Sequence, residues 1–234
     1  MALMAAGSLT AGATRVQLEA DLIASGACEA VVQLLNAHAS SRQVQIQGLA
    51  ALGVLVSSDE ARVRLITADA GATAIRAMRE FPAESMIQRT ATSTILHLAL
   101  GSDAYAAQLV DMGSFALVTA ALNTCFDRPD PKFTALQAIC ILVASMQASR
   151  VDLASACAAT VAAMNAHPDN EDVNEAGLLA LERIAHVTSC TVLHNCGVQA
   201  TVVNAMQQLP YNESIQDSGE HILQQLPRRS QRAE

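Results

Sequence analysis

Apolar residues recur along the chain in the same order at intervals of 42 to 44 residues. Five zero positions, Gly26, Asp69, Gly113, Ser155 and Gly197, bring the pattern into register. A large aliphatic residue lies nine residues after each zero position (+9), and another lies four residues before it (−4). The +9 residues are Leu35, Met78, Leu122, Met164 and Met206, and the −4 residues are Leu22, Leu65, Leu109, Val151 and Leu193. Similarity at one fixed period predicts a chain of stacked, equivalent units.

The last segment of every unit has the pattern of a helix with one buried face. Mostly apolar residues fall at +18, +25 or +26, and +29, which is a helical stripe. Position +22 is always small, with Gly48, Ala91, Ala135, Gly177 and Gly219. A bulky side chain there would push two packed helices apart, so the pattern predicts a close approach. The predicted third helices lie near residues 43–56, 85–99, 131–145, 171–186 and 213–226.

Proline separates the second and third helical segments of most units. Pro82, Pro168 and Pro210 share position +13, where the first unit has Ala39. The third unit is predicted to have a longer joint at residues 127–131, which contains two prolines. Because proline cannot continue a helix, each unit is predicted to break here. The chain is therefore predicted to be all-α, with three helical segments in each unit.

Residues 26–35, 44–52, 173–185 and 197–206 resemble the armadillo repeat. The period fits armadillo and HEAT arrays alike. The glycine before the second helix and the three-segment layout favour armadillo, with HEAT as the near alternative. The resemblance implies a right-handed α-solenoid of about five three-helix repeats, whose third helices line a concave groove.

The resemblance covers residues 17–226 and divides them near 17–58, 59–102, 103–145, 146–188 and 189–226. Residues 1–16 are predicted to form an apolar arm that caps the first repeat, because terminal units of solenoids need a cap. A targeting role for residues 1–15 stays open. Residues 227–234 are a basic C-terminal tail.

Peptide-binding armadillo proteins carry Asn near the end of the third helix, and often Trp one turn earlier. The corresponding residues here contain neither: Val54, His97, Ile141, Arg183 and Gln225 at +28, and Ala50, Ser93, Gln137, Leu179 and His221 at +24. Recognition of a peptide backbone by an Asn ladder is therefore not expected, and specificity should come from other side chains. The candidate partner-binding residues are Gln47, Thr90, Ser93, His97, Thr134, Gln137, Arg183, Ser218, His221 and Gln225.

Charge is distributed unevenly along the 234 residues, which are 51% hydrophobic and 3% aromatic with a net charge of −8. Residues 1–102 carry 8 acids and 7 bases, whereas residues 103–220 carry 13 acids and 4 bases. This balance excludes nucleic acid as the expected partner and favours a protein with a basic segment. No stretch after residue 20 is long and apolar enough to predict membrane insertion. Six cysteines without a clear secretory signal indicate free thiols and a cytoplasmic location, with an organelle or a large assembly as alternatives.

Candidate chemistry is sparse. The sequence contains no phosphate loop, dinucleotide fingerprint, zinc-protease motif or nucleophile elbow, so neither an enzyme nor a cofactor is predicted. A weak candidate zinc cluster consists of His186, Cys190, His194 and Cys196, although His194 occupies position −3 and is expected to point into the packing. The acidic run at residues 169–175 is expected to complement the N-terminus of a helix rather than bind a metal.

The sequence therefore predicts a non-catalytic protein-interaction scaffold that binds its partner through the third-helix surface. One alternative is a structural subunit fixed inside a large multiprotein assembly. Another is a thiol- or metal-dependent regulator or enzyme that uses His97, Cys140 or the cluster between His186 and Cys196.

Overall fold

The computed structural model describes residues 17, 20–56, 58–124, 127–145 and 151–226. Every regular element within these residues is a helix. After helical residues 20–24, the helices are α1 (Ala27–Ala37), α2 (Arg42–Leu55), α3 (Asp59–Thr67), α4 (Ala70–Glu80), α5 (Ser85–Leu100), α6 (Asp103–Asp111), α7 (Ser114–Thr124), α8 (Pro129–Ala144), α9 (Leu153–Ala166), α10 (Glu171–Val187), α11 (Cys190–Asn195), α12 (Val198–Gln208) and α13 (Glu213–Gln225).

The helices form five successive units, and the predicted third helices are present in all of them. Helices α2, α5, α8, α10 and α13 each begin and end within two residues of the predicted bounds. Each third helix packs on the second helix of its own unit and on the third helices of adjacent units. The prolines at +13 lie between the second and third helices, as predicted. The predicted arm (1–16) and tail (227–234) lie outside the described residues.

Four of the five zero positions adopt the left-handed backbone conformation that turns the chain between the first and second helices. Their φ angles are 86° at Gly26, 62° at Asp69, 89° at Gly113 and 77° at Gly197. Glycine and, less often, Asp or Asn tolerate this conformation. Ser155 differs, because it lies inside α9 and donates its backbone N–H to the side chain of the N-cap residue Asp152, at 2.9 Å. In the described part of the fourth unit, residues 151–188, the zero position therefore does not carry the left-handed turn.

The small residue at +22 accommodates the large residue at +9 of the same unit. A Cβ atom added to Gly177 would lie 2.5 Å from Met164 Cγ, and one added to Gly48 would lie 2.5 Å from Leu35 Cδ2. Gly219 faces Met206 in the same way. These distances are far below van der Waals contact, so the predicted close approach is confirmed and its partner is identified.

Position +19 carries a structural amide that ties the start of the third helix to the end of the second. The Nε2 atom of Gln88 donates to the carbonyl oxygens of Met78 and Phe81, at 2.9 and 3.0 Å. Gln45 makes the equivalent bonds to Leu35 and His38. Gln216 makes the equivalent bonds to Met206 and Leu209. The shorter side chain of Asn174 donates instead to the carbonyls of His167, Pro168 and Asn170. Only the third unit has no amide at +19, where it carries Lys132. Helix ends leave carbonyl groups without intrahelical partners, and these amides satisfy two of them.

Two details of the predicted pattern are wrong. The joint of the third unit ends at Arg128 rather than Pro131, because α8 begins at Pro129 and both prolines fit its first turn, where no backbone N–H is needed. Leu22 is 43% exposed, and its neighbour Ile23 is buried instead. Among residues 20–25, Ile23 is the only one that is buried.

Within the described residues, no single helix is long and apolar enough to cross a membrane. Helices α6 and α7 meet the length and composition criteria only as a pair, and they are bent by 76° relative to each other.

Candidate functional site

Consecutive third helices form one continuous surface, and its centre is an apolar depression. The depression has a volume of about 190 Å³ and lies across α5, α8 and α10. We call it the third-helix groove, lined by Leu96, Leu100, Gln137, Cys140, Ile141, Ala176 and Leu179. Leu100 is 58% exposed and Leu179 is 41% exposed, although both belong to helices that pack on their neighbours. Large apolar side chains that stay exposed around a depression are typical of interaction sites.

Acidic residues are concentrated on the third helices of the last two units. Helix α10 carries Glu171, Asp172, Glu175 and Glu182, and α13 carries Glu213, Asp217 and Glu220. Arg183 is the only Lys or Arg residue in these two helices. In contrast, α2 and α5 each carry one Arg and no acid, and α8 carries one acid and one Lys. The excess of acid in residues 103–220 therefore extends to this end of the third-helix surface.

One of these acids, Glu175, accepts a hydrogen bond from the neighbouring third helix. Ser214 on α13 donates its hydroxyl to Glu175 Oε1 on α10, at 2.8 Å. At the other end of the array, Arg42 at the start of α2 contacts Glu84, the N-cap residue of α5, with a nitrogen–oxygen distance of 2.6 Å. Its guanidinium holds the pKa of the Glu84 carboxyl below the usual range. These contacts join adjacent units edge to edge.

The ten candidate partner-binding residues all lie on third helices, but their exposure differs. Gln47, Arg183 and His221 are exposed, and the other seven are half-buried. Several polar groups are already engaged within their own helices: Thr90 donates to the Met86 carbonyl, and His97 Nδ1 lies 2.7 Å from the Ser93 carbonyl. Gln137 lines the third-helix groove itself. None of these residues has been tested as a partner contact, and they stay predictions.

Sequence reasoning missed the apolar lining of the groove. Leu96 and Cys140 occupy +27 and Leu100 occupies +31, two positions that the core pattern does not require to be apolar. Ile141 at +28 and Leu179 at +24 occupy the positions where peptide-binding armadillo proteins carry Asn and Trp. The sequence signal that could have indicated the groove is the presence of apolar residues at third-helix positions outside the buried stripe.

Cys28 and Cys157 are buried, and Cys140 is half-buried in the lining of the third-helix groove. Burial raises the pKa of the Cys28, Cys140 and Cys157 thiols, and for Cys157 the neighbouring Cys196 thiol adds to the effect. The Arg183 side chain contacts Cys140 and partly opposes the effect of burial there. Reactive cysteines need a lowered pKa, because the thiolate is the nucleophile. These three thiols therefore do not fit a thiol-dependent enzyme.

The difference in exposure between Cys190 and the buried cysteines predicts the order in which the thiols are labelled. A maleimide at neutral pH is expected to modify the exposed Cys190 at least about tenfold faster than Cys28 or Cys157, which react only when the array opens. Peptide mass spectrometry over a time course measures each site separately. Equal rates at Cys157 and Cys190 would contradict the packing described here, and labelling in denaturant provides the reference for full reactivity.

The four residues of the weak zinc candidate are not brought together. His186 lies near the C-terminus of α10, whereas Cys190 and His194 lie on the short helix α11. Cys196 is close to Cys157 and donates to the Ala154 carbonyl. The expectation that His194 points into the packing is wrong: it is exposed, because this six-residue helix buries only Leu193.

Comparison with known proteins identifies the family. The sequence profile described as "LRRK2 ARM repeat" matches residues 8–231, nearly the whole chain. The chain belongs to this armadillo-repeat family. The prediction of an all-α, right-handed armadillo-type solenoid is thereby confirmed. No curated protein matches the sequence.

Several solved structures of similar shape are designed or engineered proteins. The designed armadillo repeat protein YIII(Dq)4CqI has 19% sequence identity and a TM-score of 0.70, over 90% of this chain and 87% of that one. The designed armadillo repeat protein YIII(Dq.V1)4CPAF, in complex with the peptide (KR)4, has 18% identity and a TM-score of 0.68, over 90% and 86%. An engineered protein, target OR366, has 21% identity and a TM-score of 0.65, over 88% and 84%. At these identities the similarity shows the fold.

Proposed function

We propose that this armadillo array is a non-catalytic scaffold that binds a segment of another protein along the third-helix groove. The observation that carries the proposal is the apolar depression across α5, α8 and α10, in which Leu100 and Leu179 stay exposed on packed helices. A rigid solenoid presents an extended surface rather than an enclosed reaction site, which suits binding. The raised pKa of the buried thiols supports a non-catalytic role.

The partner segment we propose combines apolar side chains with basic ones. Its apolar residues would fill the third-helix groove, and its Lys or Arg residues would lie toward α10 and α13, which carry seven acids and one Arg. Opposite potentials favour association and suppress wrong partners. The designed armadillo protein that holds (KR)4 supports the idea that this architecture can accept a basic peptide. The missing Asn ladder implies that side chains, more than peptide backbone, provide the contacts here.

Fluorescence anisotropy with a labelled synthetic peptide of alternating leucine and arginine tests this proposal. The triple variant Glu213→Gln, Asp217→Asn, Glu220→Gln is expected to weaken binding about tenfold, because each exposed charge pair contributes about 0.2–1 kcal/mol. Higher salt should weaken binding of the unmodified protein, since screening acts over about 8–10 Å at physiological ionic strength.

A matched variant separates local from overall charge. Glu60→Gln, Glu80→Gln, Asp111→Asn removes the same number of exposed acids from first and second helices, and we expect it to leave binding nearly unchanged. Leu179→Asp should abolish binding, whereas Val63→Asp on α3 should not. Binding that is indifferent to salt, or reduced equally by both triple variants, would contradict the acidic-surface proposal.

The alternative of a structural subunit in a large assembly makes a different prediction for the same variants. Tyr211 is 97% exposed and Val63 is 66% exposed, and both lie outside the third helices. If binding of a partner is lost on substitution of Val63 or Tyr211 but not in Leu179→Asp, the partner contacts surfaces other than the third-helix groove.

A further inference from the structure

A cluster of two histidines and one carboxylate lies where the third helices of the last two units meet. Glu182 and His186 are four residues apart on α10, so they share one helix face, and His221 faces them from α13. One ligand atom from each residue can be chosen so that all three lie within 4.8 Å of one another. Among the described residues, no other group of three His, Cys, Asp or Glu side chains meets that condition.

The distances and ring orientation in the cluster are compatible with three donor atoms around one ion. His221 Nδ1 lies 3.6 Å from Glu182 Oε1. The His186 and His221 rings stand nearly perpendicular, at 89°, with their centroids 6.2 Å apart. Donor atoms around a tetrahedral zinc ion with bonds of about 2.0–2.1 Å are separated by roughly 3.4 Å. Small rotations of side chains that are exposed or half-buried would close the remaining difference.

The donor set determines which ion the cluster would hold. Imidazole nitrogen and carboxylate oxygen are preferred ligands of Zn²⁺, and two His with one Glu is a known three-ligand set that leaves a fourth position open. The side chain of Arg183, the nearest cation on the helix, contacts Cys140 on α8. The side chain of Glu182 is 23% exposed and that of His221 is 52% exposed, so an ion can enter from solvent.

We propose that Glu182, His186 and His221 form a zinc site that links the fourth and fifth repeats across the third-helix surface. The ion joins α10 to α13 and keeps one coordination position open to solvent. Glu182 and His221 also belong to the surface proposed for the partner, but none of the three ligands lines the apolar groove and none is changed in the charge variants above, so the two proposals are tested by different variants.

Zinc titration of the tag-free full-length chain under a phosphine reductant tests the site. Calorimetry should show one saturable Zn²⁺ site per chain, and the melting temperature should rise with zinc concentration. Replacing Zn²⁺ with Co²⁺ adds a spectroscopic readout. The visible bands of a nitrogen–oxygen site are expected, without the near-ultraviolet charge-transfer band of a cobalt–thiolate bond.

Single variants assign the ligands. We expect each of three substitutions to weaken zinc binding by roughly 10–100-fold or more: Glu182→Gln, His186→Ala and His221→Ala. Loss of a residue that only hydrogen-bonds to a metal ligand already weakens metal binding by about this factor. His194→Ala removes an equally exposed histidine from α11, and Cys190→Ser removes the exposed thiol; neither should change binding. Circular dichroism verifies that each variant is folded.

Three results would overturn the assignment. They are the absence of saturable zinc binding in the unmodified protein, zinc binding that survives His186→Ala and His221→Ala, and a cobalt–thiolate band that disappears in Cys190→Ser. Loss of peptide binding without loss of zinc binding would refute only the proposed function, and the converse would refute only the zinc site.

Discussion

Replacing Gly177 with leucine is expected to lower the free energy of unfolding by about 1–3 kcal/mol, the usual result of overpacking a core. The reason is the Met164 side chain, whose Cγ atom would lie 2.5 Å from the new Cβ. Urea denaturation followed by circular dichroism measures the effect. Ala135→Leu should behave similarly, because Ala135 occupies the same +22 position and is fully buried.

Two further variants distinguish overpacking from a change in helix propensity. Gly53 lies in the interior of α2, and a Cβ there would meet nothing within 4 Å. Gly53→Ala should therefore stabilise the protein by about 0.5–1 kcal/mol, through propensity alone. Met164→Ala should relieve part of the effect of Gly177→Leu in a double-mutant cycle. A Gly177→Leu variant as stable as the original would mean that the +9 and +22 residues do not pack as described.

Replacing Gln88 with leucine is expected to reduce stability by about 2–3 kcal/mol, because a buried polar group that loses its partner is penalised by about 1–3 kcal/mol. Gln88 is 3% exposed, and its amide serves the carbonyls of both Met78 and Phe81. Thermal and urea unfolding measure the loss.

The control for Gln88 is another third-helix glutamine. Gln47 is exposed on α2, two residues beyond the buried amide of Gln45. Gln47→Leu should change stability by no more than about 0.5 kcal/mol, as is usual for surface substitutions. Equal effects of the two substitutions would show that the amide at +19 is not a structural bond.

The repeating core could be predicted from the sequence because its determinants recur at fixed positions. The small residue at +22 and the large residue at +9 recur in all five units, and in the three units with glycine at +22 the structure places them against each other. The amide at +19 also recurs in four units, but a glutamine among helical positions looks like a surface residue. Its role depends on the carbonyl groups at the end of another helix, which appear only in three dimensions.

The candidate site was less predictable because it lies between units rather than within one. His186 is at +31 of its unit and His221 is at +24 of the next, so no linear spacing connects them. Linear proximity instead grouped His186 with Cys190, which the break after Val187 places on a different helix. The apolar groove likewise combines positions +21, +24, +27, +28 and +31 from neighbouring units.

The short sequence separation of the recurring bonds has a kinetic consequence. The glutamine amides at +19 reach back only seven to ten residues, the Asn174 amide four to seven, and the contacts of the +22 glycines only thirteen. Domains dominated by such local contacts have low contact order and fold quickly, and in linear arrays folding can begin in any unit. The third unit, with Lys132 in place of the amide, is then the place where propagation along the chain pauses. Nuclei in the first two and last two units would have to meet there.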